Sequence, residues 1–252
     1  MRRFLINPAI SSPEKPRLTG SEARHAFRVL RLKPGDPLIL TDGQGHEWQA
    51  RITKISNDEA MLEILKESPP LEEPLLDLTM ALALVKADRF DIVAQKGTEL
   101  GLKTLVPLYS SHGVVKPRSG QFEKRLIRWR EIARQSLKQC RRAWPVDVKP
   151  LMNIKDFLAS ASGADLKIML HQEDVDSGGI KWRELIDRYE KPKNIYAMVG
   201  PEGGFTSSEV AEAREAGFEI LSLGPRTMRS ETAALALSSI LGFLWGDLSN
   251  FH

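Results

Sequence analysis

One short stretch, Ser68-Pro69-Pro70-Leu71-Glu72-Glu73-Pro74, constrains this chain more than any other, because its three prolines forbid a continuing helix and a central strand alike. It predicts a linker, and the texture of the sequence differs on its two sides. Upstream, short β-like runs at 3–6, 37–41, 48–55 and 60–65 alternate with turn signals such as Asp42-Gly43 and Asn57-Asp58. That pattern reads as a small barrel. One helix interrupts it, opened by Thr19 or Ser21 as N-cap with Glu22 in the first turn and closed before Pro34-Gly35. The helix carries His25, Arg28 and Arg31, whose spacing of three predicts a single basic face that meets either phosphate or solvent.

Downstream the grammar becomes strand, helix, strand. A buried-type strand at 76–84 is followed by a helix at 87–100 that Gly101 closes, and then by a strand at 104–108. A basic helix at 121–142 comes next, followed by strands at 167–170, 195–199 and 220–223 and helices at 182–189, 207–216 and 232–244. Such alternation predicts an α/β fold with a mostly parallel sheet. The boundaries that follow are a first domain at 1–72 and a second at 73–252, and 252 residues suffice for two domains of ordinary size.

With 42% hydrophobic and 27% charged residues the chain is globular in composition, and a single cysteine, Cys140, excludes an internal disulfide. The opening MRRFLINPAI is broken by Asn7 and Pro8, too early for the apolar core of an export signal. No stretch approaches the roughly 20 apolar residues of a spanning helix, so the expectation is a cytoplasmic protein with no membrane partner. The net charge of +3 hides a segregation: between Lys116 and Lys149 eleven basic residues face three acidic ones, which leaves the remainder of the chain at −5. A polyanion such as RNA fits that distribution, and so does a solvated amphipathic helix.

Two loops carry the chemistry. Val199-Gly200-Pro201-Glu202-Gly203-Gly204-Phe205 lies where a strand meets a helix capped by Thr206 or Ser207, the end of a parallel strand at which open α/β sheets bind ligands. Glycines there let a backbone approach a ligand closely. No Gly-Lys-Ser/Thr follows and no Gly-x-Gly opens it, which sets aside triphosphate and dinucleotide loops. The second loop, Leu223 to Ala234, repeats the architecture and places Arg226, Arg229, Glu231 and Thr232 at a helix start, as ligand-orienting groups or, for Glu231 and Thr232, as plain caps.

Together, GPEGGF and LGPRTMRSETAALAL resemble the cofactor motifs of the SPOUT superfamily of RNA methyltransferases. MRRFLI, HAFRVLRLKPGD, KADRFDIVAQKGTELGLKTLVPL and IARQSLKQCRRAWP extend the likeness over nearly the whole chain to the RsmE family, the 16S rRNA uridine N3-methyltransferases. The resemblance implies a C-terminal SPOUT-type parallel-sheet domain with a deep trefoil knot, plus a small N-terminal PUA-like β-barrel domain, in a homodimer acting on 16S rRNA in the small ribosomal subunit. It implies S-adenosyl-L-methionine as cofactor, lined by Leu170, His171, Gly200, Pro201, Glu202, Gly203, Gly204, Leu223, Gly224, Met228, Ser230, Thr232 and Ala233, with Glu202 or Glu231 near the cationic sulfonium. Arg229 would stabilise charge on the uracil oxygens, and Glu231 or water would accept the N3 proton.

The expected RNA contacts are Arg2, Arg3, His25, Arg28 and Arg31 in the first domain and Lys86, Arg89, Arg125, Arg134, Arg141 and Arg142 in the second. His171 with Glu173, Asp174 and Asp176 matches no standard metal spacing, so no metal is expected. Two rival readings keep the fold: a SPOUT enzyme acting on tRNA, and a non-catalytic RNA-binding assembly factor.

Overall fold

The computed structural model describes residues 1–6, 16–56, 59–69, 73–85, 87–113, 120–172 and 180–249. They form two compact units, Met1–Glu73 with Arg134–Pro145, and Pro74–Ala133 with Val146–His252.

In the first unit, β1 (Arg2–Leu5), β2 (Arg17–Thr19), β3 (Pro37–Thr41), β4 (Glu47–Ser56) and β5 (Glu59–Ser68) make a half-barrel of order β1-β3-β4-β5-β2. The β1–β3 pair is parallel and the other pairs are antiparallel. Strand alternation sends Trp48, Ala50 and Ile52 of β4 inward beside Phe4, Leu38 and Leu40, while Gln49 and Arg51 stay outside. Two register shifts in the β4–β5 ladder supply its curvature. Gly45 requires its missing side chain: φ is +97°, and a Cβ would stand 2.7 Å from Cζ2 of Trp144.

Helix α1 (Gly20–Arg24) has Thr19 as N-cap, and a π-helical turn, His25–Val29, continues it. This corrects the expected basic face. A π-helical turn does not keep residues three apart in line, and Arg31 lies beyond the helix in the left-handed region at φ +55°.

The second unit is a seven-stranded sheet made of β6 (Asp77–Ala83), β7 (Thr104–Tyr109), β8 (Asp147–Val148), β9 (Met152–Asn153), β10 (Leu166–Leu170), β11 (Asn194–Val199) and β12 (Glu219–Leu221). Its order is β12-β10-β11-β6-β7-β8, with β9 also on β7, and every pair is parallel. Helices α2 (Ala87–Glu99), α4 (Ile154–Ser160), α5 (Trp182–Arg188), α6 (Ser207–Glu215) and α7 (Ser230–Trp245) complete it, together with α3 (Gln121–Cys140) as far as Ala133, the remainder of α3 belonging to the first unit. Both faces are covered, so the central strands are mostly apolar, and alternation divides them between two cores. Met80, Leu82, Ile168, Ala197 and Val199 enter one core with Leu237 and Leu241 of α7. Ala81, Met169 and Met198 enter the other with Phe157, Phe205 and Val210. Thus α7 covers one face while α4 and α6 cover the other, and the loops joining strand to helix emerge together at one edge.

Candidate functional site

Because β12, β10 and β11 are neighbours and parallel, their carboxyl ends Leu221, Leu170 and Val199 align at that edge. A cleft of about 360 Å³ opens there, between the loop that leads from β11 into α6 and the loop that leads from β12 into α7. Of the residues expected at a cofactor, Leu170, His171, Gly200, Pro201, Glu202, Gly203, Gly204, Leu223, Gly224, Met228, Ser230 and Ala233 line it. Thr232, Arg229 and Glu231 are not part of this lining. The lining also includes Arg226, expected as a ligand-orienting group, Val199 and Phe205 at the ends of the first glycine loop, and Gln172, Leu221, Ser222 and Thr227, which were not singled out in the sequence.

Local chemistry fixes both walls. Thr206 caps α6 in a reciprocal box: its Oγ1 accepts from Glu209 N at 3.2 Å, and Glu209 Oε2 accepts from Thr206 N at 2.7 Å. The other oxygen of Glu209 accepts from Ser111 N at 2.9 Å, which ties the turn after β7 to the same helix. From that turn His112 places Nδ1 3.1 Å from the carbonyl oxygen of Gly203, a contact in which the Nδ1–H tautomer donates. Nothing in the sequence marked His112. The second wall differs from expectation, since the N-cap of α7 is Arg229 and makes no side-chain capping bond, while Glu231 sits inside the first turn. Neither Glu231 nor Thr232 is a cap.

Glu209 yields a test. Burial pushes its carboxyl up, but the Ser111 and Thr206 amides that donate to it outweigh burial and hold it below the usual carboxylate value. A depressed folded pKa stabilises the protein above the unfolded value and loses that contribution as pH falls through the folded one. Glu209→Ala is therefore expected to cost about 2 kcal/mol at neutral pH. In urea unfolding, its difference from wild type should shrink below pH 4.5, and a difference that holds at every pH would refute the assignment.

The model of the RNA methyltransferase domain matches residues 71–242, and that of the RNA methyltransferase PUA domain matches residues 18–65. The ribosomal RNA small subunit methyltransferase E of Mesomycoplasma hyopneumoniae is 31% identical over 94% of this chain and 97% of its own length. The chain belongs to the ribosomal RNA small subunit methyltransferase E family. Among solved structures, the enzyme of that name from Neisseria gonorrhoeae, bound to S-adenosyl methionine, is 31% identical with a TM-score of 0.82 over 99% of this chain and 100% of that one. A Legionella pneumophila protein solved with the cofactor SAM is 29% identical, with a TM-score of 0.87 over 98% of this chain and 99% of that one.

Several of the basic residues expected to meet RNA are engaged by groups of their own unit. Arg3 pairs with Glu47 at 2.6 Å, Arg134 donates to the carbonyl of Ile6, and Arg142 pairs with Glu73 at 2.8 Å. Arg89 pairs with Glu202 and Glu231. These four are held by the protein itself. Arg2, His25, Arg28, Arg31 and Arg141 are exposed, Arg141 in the left-handed region at φ +65° just past α3. Arg125 is half-buried, and its Nη1 has no hydrogen-bond partner among the described residues. Lys86, Glu173, Asp174 and Asp176 lie outside the described residues. No helix among the described residues is long and apolar enough to cross a membrane.

Proposed function

We propose that the chain methylates N3 of a specific uridine in 16S rRNA of the small ribosomal subunit, using S-adenosyl-L-methionine held in the cleft at the carboxyl ends of β10, β11 and β12. The observation that carries this reading is the cradle itself. A Cβ at Gly200 would stand 3.2 Å from the ring of Phe205, and one at Gly203 would stand 3.2 Å from Cβ of His112, so the loop packs its backbone where other residues would place side chains. Leu170, Leu223 and Met228 add apolar surface beside it, the combination of bare backbone and apolar side chains that a flat adenine ring requires. The cleft volume falls in the range of small-molecule sites. The family relatives with bound S-adenosyl methionine support the same ligand.

When bound, the cofactor supplies an electrophilic methyl group on a positively charged sulfur. The chain's residues have three further tasks. Leu223, Met228 and the glycine backbones hold the donor in one orientation, which converts an encounter between two molecules into a step within one complex. The nucleophile is N3 on the Watson–Crick edge, so the base must be unpaired, and the half-barrel unit with its exposed Arg2, Arg28 and Arg31 serves as RNA platform. Arg229, exposed at the start of α7, stabilises negative charge that collects on the uracil oxygens as the N3 proton leaves. Glu231 faces Arg89, and water receives the proton. A homodimer, a knotted connection around α7 and a cytoplasmic site of action complete the proposal.

Incubation with labelled S-adenosylmethionine and undermethylated small subunits, followed by nucleoside mass analysis, tests it. N3-methyluridine in small-subunit RNA and none in tRNA is the expected result. Label in tRNA, or on a ribose, would replace the substrate.

A further inference from the structure

Arg89 stands on α2, outside both loops of the cleft, and reaches each of them. Its Nη1 forms an ion pair with Oε1 of Glu202, in the loop after β11. Its Nε lies 3.7 Å from Oε1 of Glu231, in the first turn of α7. The two contacts use different edges of one planar guanidinium, a geometry that the single ammonium of a lysine does not reproduce.

The two ends of this bridge differ. The Glu202 side chain is 44% exposed, and an ion pair at such a site adds little to stability by itself. The Glu231 side chain is only 10% exposed, and its Oε2 is buried without a hydrogen-bond partner among the described residues. A buried carboxylate left short of donors is tolerated when a cation sits beside it, and among the described residues Arg89 is paired with it. Glu231 is flanked in the sequence by Ser230, which lines the cleft, and Glu202 lines the opposite wall. Fixing both carboxylates to one rigid fork therefore fixes the separation of the two walls.

We propose that Arg89 is a positioning residue: it bridges the two walls and sets the width of the cleft for S-adenosylmethionine, and it is not an RNA-phosphate contact. The inference rests on the cofactor reading of the cleft given above. It also accounts for a carboxylate, Glu231, that sits beside the cleft yet outside its lining.

Calorimetric titration of wild type, Arg89→Ala, Arg89→Lys, Glu202→Gln and the double variant Arg89→Ala/Glu202→Gln with S-adenosylmethionine tests the bridge. Arg89→Ala is expected to weaken binding tenfold or more, on the order of a lost charge-assisted contact at a desolvated site. Arg89→Lys should recover only part of the loss, and Glu202→Gln, which removes one exposed arm, should lose less than Arg89→Ala. The double variant should be no weaker than Arg89→Ala alone, since the two changes break one interaction. The salt dependence of RNA binding should not change in Arg89→Ala. Wild-type affinity in Arg89→Ala, additive losses in the double variant, full recovery by lysine, or a salt slope smaller by about one would each overturn the proposal. If Arg89→Ala fails to fold, Glu202→Gln decides: wild-type cofactor affinity in that folded variant overturns the bridge. Failure of the wild-type protein to bind would instead remove the cofactor reading on which the proposal stands, so the two failures are told apart.

Discussion

Valine in place of Gly200 is expected to lower S-adenosylmethionine affinity about a hundredfold, close to 2.7 kcal/mol, while the protein remains folded. Gly200 closes β11 and opens the cleft loop, and its φ is not in the left-handed region, so the backbone there accepts a side chain without strain. Space is what is missing. A Cβ would stand 3.2 Å from Cδ2 and Cε2 of Phe205 and 3.4 Å from the carbonyl carbon of Gly204. Phe205 is 4% exposed and packs in the core with Met198 and Val210, so it has nowhere to retreat. The γ-methyls of valine must then enter the cleft or push the loop outward, and both displace the cradle. Gly224 provides the contrast, because its φ of +101° strains any side chain although no atom of the described residues lies within 4 Å of a Cβ. Alanine at 224 should therefore act through backbone strain. Calorimetry beside a thermal melt separates the effects, and wild-type affinity in a folded Gly200→Val protein would show that the ligand does not use this loop.

The glycine loops were legible in the sequence because their requirement is local: a strand end, a bare backbone and a helix cap follow one another within a few residues. The long apolar strands and the capped helices were legible for the same reason. What escaped was either too short to carry a period or depended on residues far away in the chain. Strand β2 has three residues, β8 and β9 two each, and α4 is a seven-residue helix after them. Runs of that length show neither the two-residue nor the helical repeat. The π-helical turn after α1 leaves no mark in composition. Charge misled in a different way. Arg134, Lys138 and Arg142 add to the basic count in and just past α3, yet their partners are Ile6, Glu22 and Glu73, which are 128, 116 and 69 residues distant. A sum of charges along a helix therefore overstates what is free to meet phosphate. Arg89, expected at RNA, pairs with Glu202 across 113 residues and also lies beside Glu231.

Arg229→Ala is expected to reduce kcat by a factor of 100 to 1,000, about 3 to 4 kcal/mol, with cofactor affinity unchanged. Three features single out this residue. It precedes α7 in an extended conformation, φ −66° and ψ 150°, so its side chain leaves the backbone before the helix begins. It is exposed and lies outside the lining of the cleft, which separates it from cofactor binding. Its neighbour Ser230 is buried and lines the cleft, so the backbone of Arg229 adjoins the cleft wall. Under the proposed N3 methylation, a cation so placed would stabilise charge that exists only once uracil begins to lose its N3 proton, and such a contact would appear in kcat and leave ground-state binding intact. Arg229→Lys keeps the charge but loses the fork, and should retain part of the activity. The competing role is a phosphate contact, and it predicts another pattern. Weaker RNA binding, a smaller salt slope and normal turnover at saturating RNA would move Arg229 from the chemical step to the RNA surface.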